Sequence, residues 1–187
     1  MGVRAAILNR IVAALVPLFL TCGLAAAGDS ARLDDLFTRL QTATPAEAAR
    51  IESEIWIEWS KSGSPAIDLL LQRGRDALEL GDTGQAIAHF TAVIDHDPEF
   101  AEGWNARATA YFQAGEFGPS LADIAHVLTL NPRHFGALAG LGAIFEDSDR
   151  PDKALAAYRA ALAIHPHLEG IPEAVERLET EAEGQEL

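Results

Sequence analysis

One spacing constrains this sequence more than any other feature, because prolines recur 34 residues apart at Pro98, Pro132 and Pro166. Three further sets of positions share that offset, two of them small and one large and mostly apolar: Gly74, Ala108 and Gly142; Ala86, Ser120 and Ala154; Phe90, Ile124 and Tyr158. Self-similarity at one fixed period is the signature of a repeat array. A single repeat cannot bury its own apolar faces, so neighbouring repeats must stack. The sequence therefore predicts a solenoid.

Local signals within each period predict a pair of helices. Gly81 and Gly115 stand where a first helix should end, since glycine readily adopts the left-handed conformation found there. Asp82, with Gln85 three residues later, predicts the N-terminus of the next helix. Each closing proline should stop the second helix. We expect the small positions to let the two helices of a unit cross closely, and the large positions to fill the space between units.

The residues that carry a resemblance to a known family are, in the second unit, Trp104, Ala108, Tyr111, Ser120, Ile124, Val127 and Pro132. Together with the period they resemble the tetratricopeptide repeat (TPR) family. The match places three units at 67–100, 101–134 and 135–168, within a repeat domain at 65–168. The resemblance implies an all-α, right-handed superhelical α-solenoid of three TPR helix pairs.

Two segments flank the predicted repeats. Residues 28–64 should form an N-terminal helix pair, whose second helix begins with a capping box of Thr44 and Glu47. The apolar stripe of that second helix consists of Ala48, Ile51, Ile55, Trp56 and Trp59. We expect its two tryptophans to be buried, sealing the open N-terminal face of the array, rather than to form a ligand platform. Residues 169–187 should form a capping helix and an acidic tail.

The first 27 residues have the pattern of a secretory signal peptide. Arg4 and Arg10 precede an uncharged run that ends in three alanines at Ala27, and this order of segments is typical of exported proteins. We expect cleavage after Ala27 and a periplasmic protein. Two alternatives stay open. The apolar run is just long enough for an uncleaved inner-membrane anchor, and Cys22 is a candidate lipoprotein site, although the threonine before it disfavours that interpretation.

Charge and motifs argue against nucleic-acid binding and catalysis. The formal net charge of −14 disfavours nucleic acid, because phosphate binding requires clustered lysine and arginine. Asp123 and His126 lie one helical turn apart, yet no serine or cysteine is placed with them as a nucleophile. We find no phosphate-binding loop. The sequence therefore predicts a protein that is not an enzyme and needs no cofactor.

A histidine pair near the end of the last repeat resembles a metal site only at first sight. His165 and His167 flank a proline, and Glu169 follows. In the repeat register, however, His165 is equivalent to Asn131 and Asp97. We therefore expect a polar turn residue and no metal, since a histidine pair without a third fixed ligand is a weak metal signal.

In the TPR family the first helix of each unit lines a concave groove, and the resemblance places candidate partner contacts there. They are Leu71, Arg75, Leu78, Asn105, Thr109, Phe112 and Gln113. Asn105 could bond the backbone of a ligand through both amide groups. In the third unit Gly136, Ala139, Gly140 and Ala143 would let a ligand approach closely. The alternative is that some of these residues pack against the N-terminal helices instead.

The groove residues also limit the kind of partner that we expect. Family members that grip a C-terminal carboxylate do so with lysine, arginine and asparagine, whereas this chain has Ala139, Gly140 and Ala143 where cations would be needed. Arg75 alone is not a clamp, so we exclude that specificity.

The overall layout resembles small periplasmic TPR proteins of proteobacteria. We therefore expect an exported scaffold or adaptor that binds proteins or peptide segments of the cell envelope and meets the membrane only through an uncleaved leader. The alternatives are an assembly factor for one envelope machine, in cytochrome maturation or outer-membrane biogenesis, and a metal-dependent hydrolase.

Overall fold

A computed structural model describes residues 31–185, which are helical apart from short connections. The first helix, α1, covers 31–40. The others are α2 (Pro45–Trp59), α3 (Pro65–Glu79), α4 (Thr83–His96), α5 (Ala101–Gln113), α6 (Phe117–Leu130), α7 (Phe135–Asp147), α8 (Pro151–Ile164) and α9 (Ile171–Gln185). The predicted leader, 1–27, lies outside the described residues. Among the described helices, none has the length and apolar character needed to span a membrane.

The repeats fold as three helix pairs, α3 with α4, α5 with α6 and α7 with α8, and each pair packs on the next. This arrangement confirms the predicted α-solenoid. Its first helices end alike, with Gly81 at φ 75°, Gly115 at φ 74° and Asp149 at φ 56° in the equivalent place. The cap of α4 is also confirmed, because the carboxylate of Asp82 accepts a hydrogen bond of 3.0 Å from the backbone N–H of Gln85.

The small positions on the first helices of the first and third units accommodate an aromatic ring. A Cβ atom added at Gly74 would lie 2.6 Å from Cδ1 of Phe90, and one added at Gly142 would lie 2.9 Å from Cζ of Tyr158. Glycine thus makes room for the aromatic ring on the second helix of its own unit. In the second unit the ring is replaced by Ile124, and the first helix carries Ala108. The two positions compensate each other in size.

Two residues that could have suggested catalysis are structural. The guanidinium of Arg107 donates to both carboxylate oxygens of Asp123, at 2.7 and 2.9 Å. Asp123 is buried, so this bidentate pair satisfies its charge inside the repeat. The ring of His126 stacks on the ring of Trp104 at 4.2 Å. Both residues therefore join the helices of the second unit.

The C-terminal helix covers the last repeat as predicted. Leu178 of α9 is buried, and it forms an apolar cluster with Ala154 and Tyr158 of α8. Ala174 and Val175 pack against the same cluster. On the outer side Glu173, Glu176 and Glu181 are exposed. The helix thus gives the end of the array a polar surface.

The N-terminal helix pair is buried as predicted, but its location is not the predicted one. One apolar cluster joins α1 and α2 to the third repeat and the turn after it; its buried members are Leu36, Phe37, Leu40, Ala48, Ile51, Ile55, Trp59, Phe135, Ala161 and Leu168. The first repeat instead fills its core from its own helices and from α5. The prediction that α2 seals the N-terminal face is wrong, because both of its tryptophans pack against Phe135 of the third repeat.

Polar contacts fix the helix pair in that place. The side chain of Gln41 donates to the carbonyl oxygens of Ala163 and Ile164, at 3.0 and 2.7 Å. These carbonyls lie in the last turn of α8, where helix carbonyls have no partner within the helix. Arg133 pairs with Asp34 at 2.7 Å. Such exposed ion pairs contribute little to stability, so the apolar cluster provides most of the attachment.

The two histidines of the last turn hold the same helix pair. His165 is fully buried, and its Nδ1 accepts a hydrogen bond from the backbone N–H of His167. Its Nε2 therefore carries the proton and donates to the carboxylate of Glu52 on α2, at 3.2 Å. His167 donates from Nε2 to the carbonyl of Ala43, at 3.1 Å. The interpretation of His165 as a turn residue is confirmed, and both imidazoles have roles in docking α1 and α2.

Candidate partner-binding groove

Helices α5 and α7 border a cavity of about 130 Å³ between the second and third repeats. We call it the inter-repeat cavity. Its lining is mostly apolar and consists of Asn105, Ala108, Thr109, Phe112, Ser120, Ile124, Gly136, Ala137, Gly140 and Ile144. Thr109 is exposed and Asn105 is half-buried, so polar groups stand at the opening of an apolar slot. This arrangement of apolar walls with few polar groups is typical of ligand sites.

The cavity exists because α7 presents glycine where other helices carry side chains. A Cβ atom added at Gly140 would meet only Cδ1 of Ile124, at 3.7 Å. That distance is an ordinary contact, and a larger side chain at this position would extend into the cavity. Below it, the hydroxyl of Ser120 donates to the carbonyl of Ala108 at 2.8 Å. The hydroxyl is satisfied there, and the floor of the cavity behaves as an apolar surface.

The structure brings together three of the seven predicted contacts, because Asn105, Thr109 and Phe112 line the inter-repeat cavity. Gln113 is exposed at the end of the same helix. Leu78 is half-buried on α3, where it packs against the core of the first repeat.

The placement of Leu71 in the groove is corrected. Only 1% of Leu71 is exposed, and it belongs to a core cluster with Ala106 and Ala110. The physical reason is the small size of those two alanines, which lets α5 approach α3 and cover the leucine. Leu71 thus belongs to the interface between two repeats.

A buried carboxylate organises the concave face beside the cavity. Glu102 is 4% exposed. Its oxygens accept hydrogen bonds from Arg75 at 2.6 Å and from the side-chain amide of Asn105 at 3.2 Å. The third partner is Nε2 of His134, at 3.3 Å. Arg75 and Asn105 are therefore partly engaged within the protein, and Asn105 links this polar network to the cavity.

His134 is held in one orientation. Its Nδ1 accepts from the backbone N–H of Ala137 at 3.1 Å, which caps α7 and leaves the proton on Nε2 for Glu102. The network was missed from the sequence, although one signal pointed to it. His134 occupies the register of Phe100 and Leu168, and a polar residue at an otherwise apolar position is a sign of a specific partner.

Helix α2 covers the groove next to the cavity. The rings of Trp59 and His134 stack at 4.2 Å with an angle of 14°. A Cβ atom added at Gly136 would lie 2.7 Å from Cη2 of Trp56. Ala139 also packs against the cluster that contains α2. The alternative that some groove positions pack against the N-terminal helices is therefore confirmed for the third repeat.

Metal binding is not indicated by this geometry. Within residues 31–182, no three histidine, cysteine, aspartate or glutamate side chains come together as a metal site would require. His165 and His167 direct their nitrogens to protein partners, as described above.

The stacked helix pairs and their 34-residue period define an α-solenoid with a cavity on its concave face. The chain belongs to the tetratricopeptide repeat family. A family model described as tetratricopeptide repeat matches residues 71–118 and 120–169. A TPR repeat-containing protein of Rhizobium etli is 41% identical over 136 residues, which cover 72% of this chain and 67% of that protein.

Two solved structures show the same fold. The Sgt2 TPR domain from Aspergillus fumigatus matches with a TM-score of 0.61 at 20% identity, covering 66% of this chain and 83% of that one. The first TPR of Spaghetti (RPAP3), bound to an HSP90 peptide, matches with a TM-score of 0.59 at 22% identity, covering 62% and 92%. At this level of identity the similarity concerns the fold, and the fold is one that supports protein–protein interaction.

Proposed function

We propose that this protein is a non-enzymatic scaffold that holds a segment of a partner protein in the inter-repeat cavity. The observation that carries the proposal is the cavity itself, an apolar slot on the concave face with Asn105 and Thr109 at its opening. Apolar cavities of about 150 Å³ hold a benzene-sized group. A cavity of about 130 Å³ therefore suits one apolar side chain of a partner, with the polar rim available to its backbone.

The surroundings favour an apolar side chain over a terminal carboxylate. In the RPAP3 structure the bound peptide is SRMEEVD, which is rich in acids. In this chain Arg75 already pairs with Glu102, and α7 contributes Gly136 and Gly140 to the cavity. A carboxylate placed there would lose its water without gaining a cation, which is costly. We infer that the part of the partner that enters the cavity is uncharged.

We further propose that the partners are proteins of the cell envelope and that the chain is exported. The support is the leader pattern of residues 1–27, which stays a prediction. Cell fractionation with N-terminal sequencing tests it: a periplasmic product beginning at Gly28 is expected. A cytoplasmic product that retains Arg4 would overturn the export proposal while leaving the cavity proposal intact.

A cavity-filling variant tests the binding site. Gly140→Leu should fill the slot, and Thr129→Leu places the same side chain on the exposed face of α6 as a control. After crosslinking in the envelope fraction, mass spectrometry should find partners with the original chain and with Thr129→Leu but not with Gly140→Leu. Far-ultraviolet circular dichroism checks that the variants keep their helices. Equal capture by folded Gly140→Leu would show that the cavity is not the binding site.

A further inference from the structure

The footprint of α2 adjoins the inter-repeat cavity. Trp56 covers Gly136, which also lines the cavity. Trp59 stacks on His134, whose Nε2 shares Glu102 with the cavity residue Asn105. The open cavity and the surface beneath α2 are therefore parts of one concave surface, and α2 occupies one end of it.

The N-terminal helices are built as a unit that a short connection joins to the repeats. Leu36 and Leu40 of α1 share a buried cluster with Ile55 of α2. The connection contains Gly63 at φ 80°, a conformation that glycine adopts without strain. It is held by the hydroxyl of Ser62, which donates to the carboxylate of Asp68 at 2.6 Å. A few backbone rotations in this connection would move both helices together, as hinges do.

The chemistry of the covered surface identifies what could replace α2. Removing the helix pair would expose Phe135, which is 0% exposed. It would also take the carboxylate of Glu52 from His165. An empty, open groove is disfavoured for this reason, because burial of apolar area is a main source of stability. A competing ligand must bring similar groups, namely two aromatic side chains three residues apart on a helix and a carboxylate one turn before the first.

We propose that α1 and α2 are a displaceable occupant of the groove, and that the surface beneath α2 is a docking site for an amphipathic partner helix of that composition. This inference rests on the proposed function, since it extends the same groove. The partner helix would take the positions of Trp56 and Trp59, reach the inter-repeat cavity past Gly136, and leave α1 and α2 attached only through the connection. In the absence of partner, the chain covers its own binding surface.

A peptide competition experiment tests the inference. The probe is a fluorescein-labelled synthetic peptide of residues 31–62, which contains both helices. Its binding to the chain 28–187 is measured by fluorescence anisotropy, alongside Trp59→Ala and Trp104→Ala. Trp59→Ala loosens the resident helix but leaves His134 and Phe135 in place. Trp104 contacts Pro98, Arg107 and His126, which all lie in the repeats, so its loss is the matched control.

Trp59→Ala should bind the probe at least about tenfold more tightly than the original chain. In the original chain the tethered α2 competes with the probe and lowers the fraction of molecules with an open groove. The control should match the original chain. Equal affinities of the original chain and Trp59→Ala, or no binding to either, would overturn the inference. Neither result would affect the capture experiment with Gly140→Leu. Failure of this inference can therefore be distinguished from failure of the proposed function.

Hydrogen exchange on the unmodified chain tests the same inference without a substitution. Amides of α1 and α2 should exchange through an opening that leaves α5 to α7 protected, since separately opening units show their own exchange free energies. Exchange of all these helices in one global step would show that the helix pair does not leave the groove on its own.

Discussion

The pairing of glycine with an aromatic ring in the first repeat gives a sharp test of the packing. We expect Gly74→Ala to destabilise the protein, although alanine is favoured over glycine in helices by about 1 kcal/mol. The new methyl carbon would stand 2.6 Å from Cδ1 and 2.8 Å from Cζ of Phe90. Ordinary carbon contacts need at least about 3.5 Å. Phe90 is fully buried, so its ring cannot turn away into solvent.

The magnitude follows from these opposing effects. Overpacking a core by one methyl group costs about 1–3 kcal/mol, and the helix preference offsets up to about 1 kcal/mol of it. The contacts are much closer than ordinary contacts, so the overpacking cost should lie in the upper part of that range, about 2–3 kcal/mol. We therefore expect a net loss of about 1–2 kcal/mol in the free energy of unfolding, measured by urea denaturation and followed by circular dichroism. A Gly74→Ala variant as stable as the original chain, or more stable, would refute the packing argument.

The second repeat provides the matched control, since it uses Ala108 with Ile124 at the equivalent positions. Phe90→Ile alone should destabilise by about 1–3 kcal/mol, because it leaves unfilled space. The double variant of Gly74→Ala with Phe90→Ile should be at least about 1 kcal/mol more stable than the sum of the single effects predicts, since the two residues touch. Additive effects would show that the two positions do not compensate each other.

Three further substitutions follow from single contacts. Asp149→Gly should raise the free energy of unfolding by about 1 kcal/mol in thermal or urea unfolding, because Asp149 adopts a positive φ of 56°; no gain would contradict this. Arg107→Ala should lower the free energy of unfolding by about 3 kcal/mol or more, because it leaves the carboxylate of Asp123 buried without its partner. The double variant of Arg107→Leu with Asp123→Ala reproduces the residues of the third repeat and should recover most of that loss. The hydrogen bond from His165 lowers the pKa of Glu52 below its usual 4.5, so this contact stabilises the fold fully above pH 4.5 and is lost as the pH falls through the folded-state value. Glu52→Gln should therefore reduce the acid dependence of unfolding below pH 4.5, and an unchanged acid dependence would contradict the role of this contact.

The repeats were predictable because their signals are local. Gly81 and Gly115 end helices through their own backbone conformation, and a proline beyond the first turn cannot continue a helix. Helix positions follow from such residues without knowledge of what packs against what. The left-handed conformation of Asp149 was not predicted, because an aspartate in that conformation has no distinct pattern in the sequence.

The position of the N-terminal helices was not predictable in the same way. The stripe of α2 indicates that Trp56 and Trp59 are buried, but helical periodicity contains no information about the partner surface. Their contacts, His134 and Gly136, lie more than 70 residues further along the chain. The docking surface combines α7, α8 and the turn after α8, which become neighbours only in the folded chain.

The candidate site, too, could be predicted only in part from the sequence. Asn105, Thr109 and Phe112 lie on one face of one helix, so the repeat register was enough to group them. Leu71 had the same register-based support, yet the alanines of the next repeat bury it. A register assigns directions to side chains, whereas burial depends on the size of residues in a neighbouring unit.

Site-specific photocrosslinking tests the central claim, the cavity as the binding site, most directly. A photoreactive phenylalanine analogue is placed at Thr109, on the cavity rim, or at Thr129 of α6. The two threonines form a matched pair, since both are exposed and each bonds the carbonyl four residues earlier. Irradiated cells should give a specific adduct from position 109 that Gly140→Leu abolishes, and none from position 129. The same adducts from both positions, or an adduct at 109 that persists in Gly140→Leu, would contradict the account.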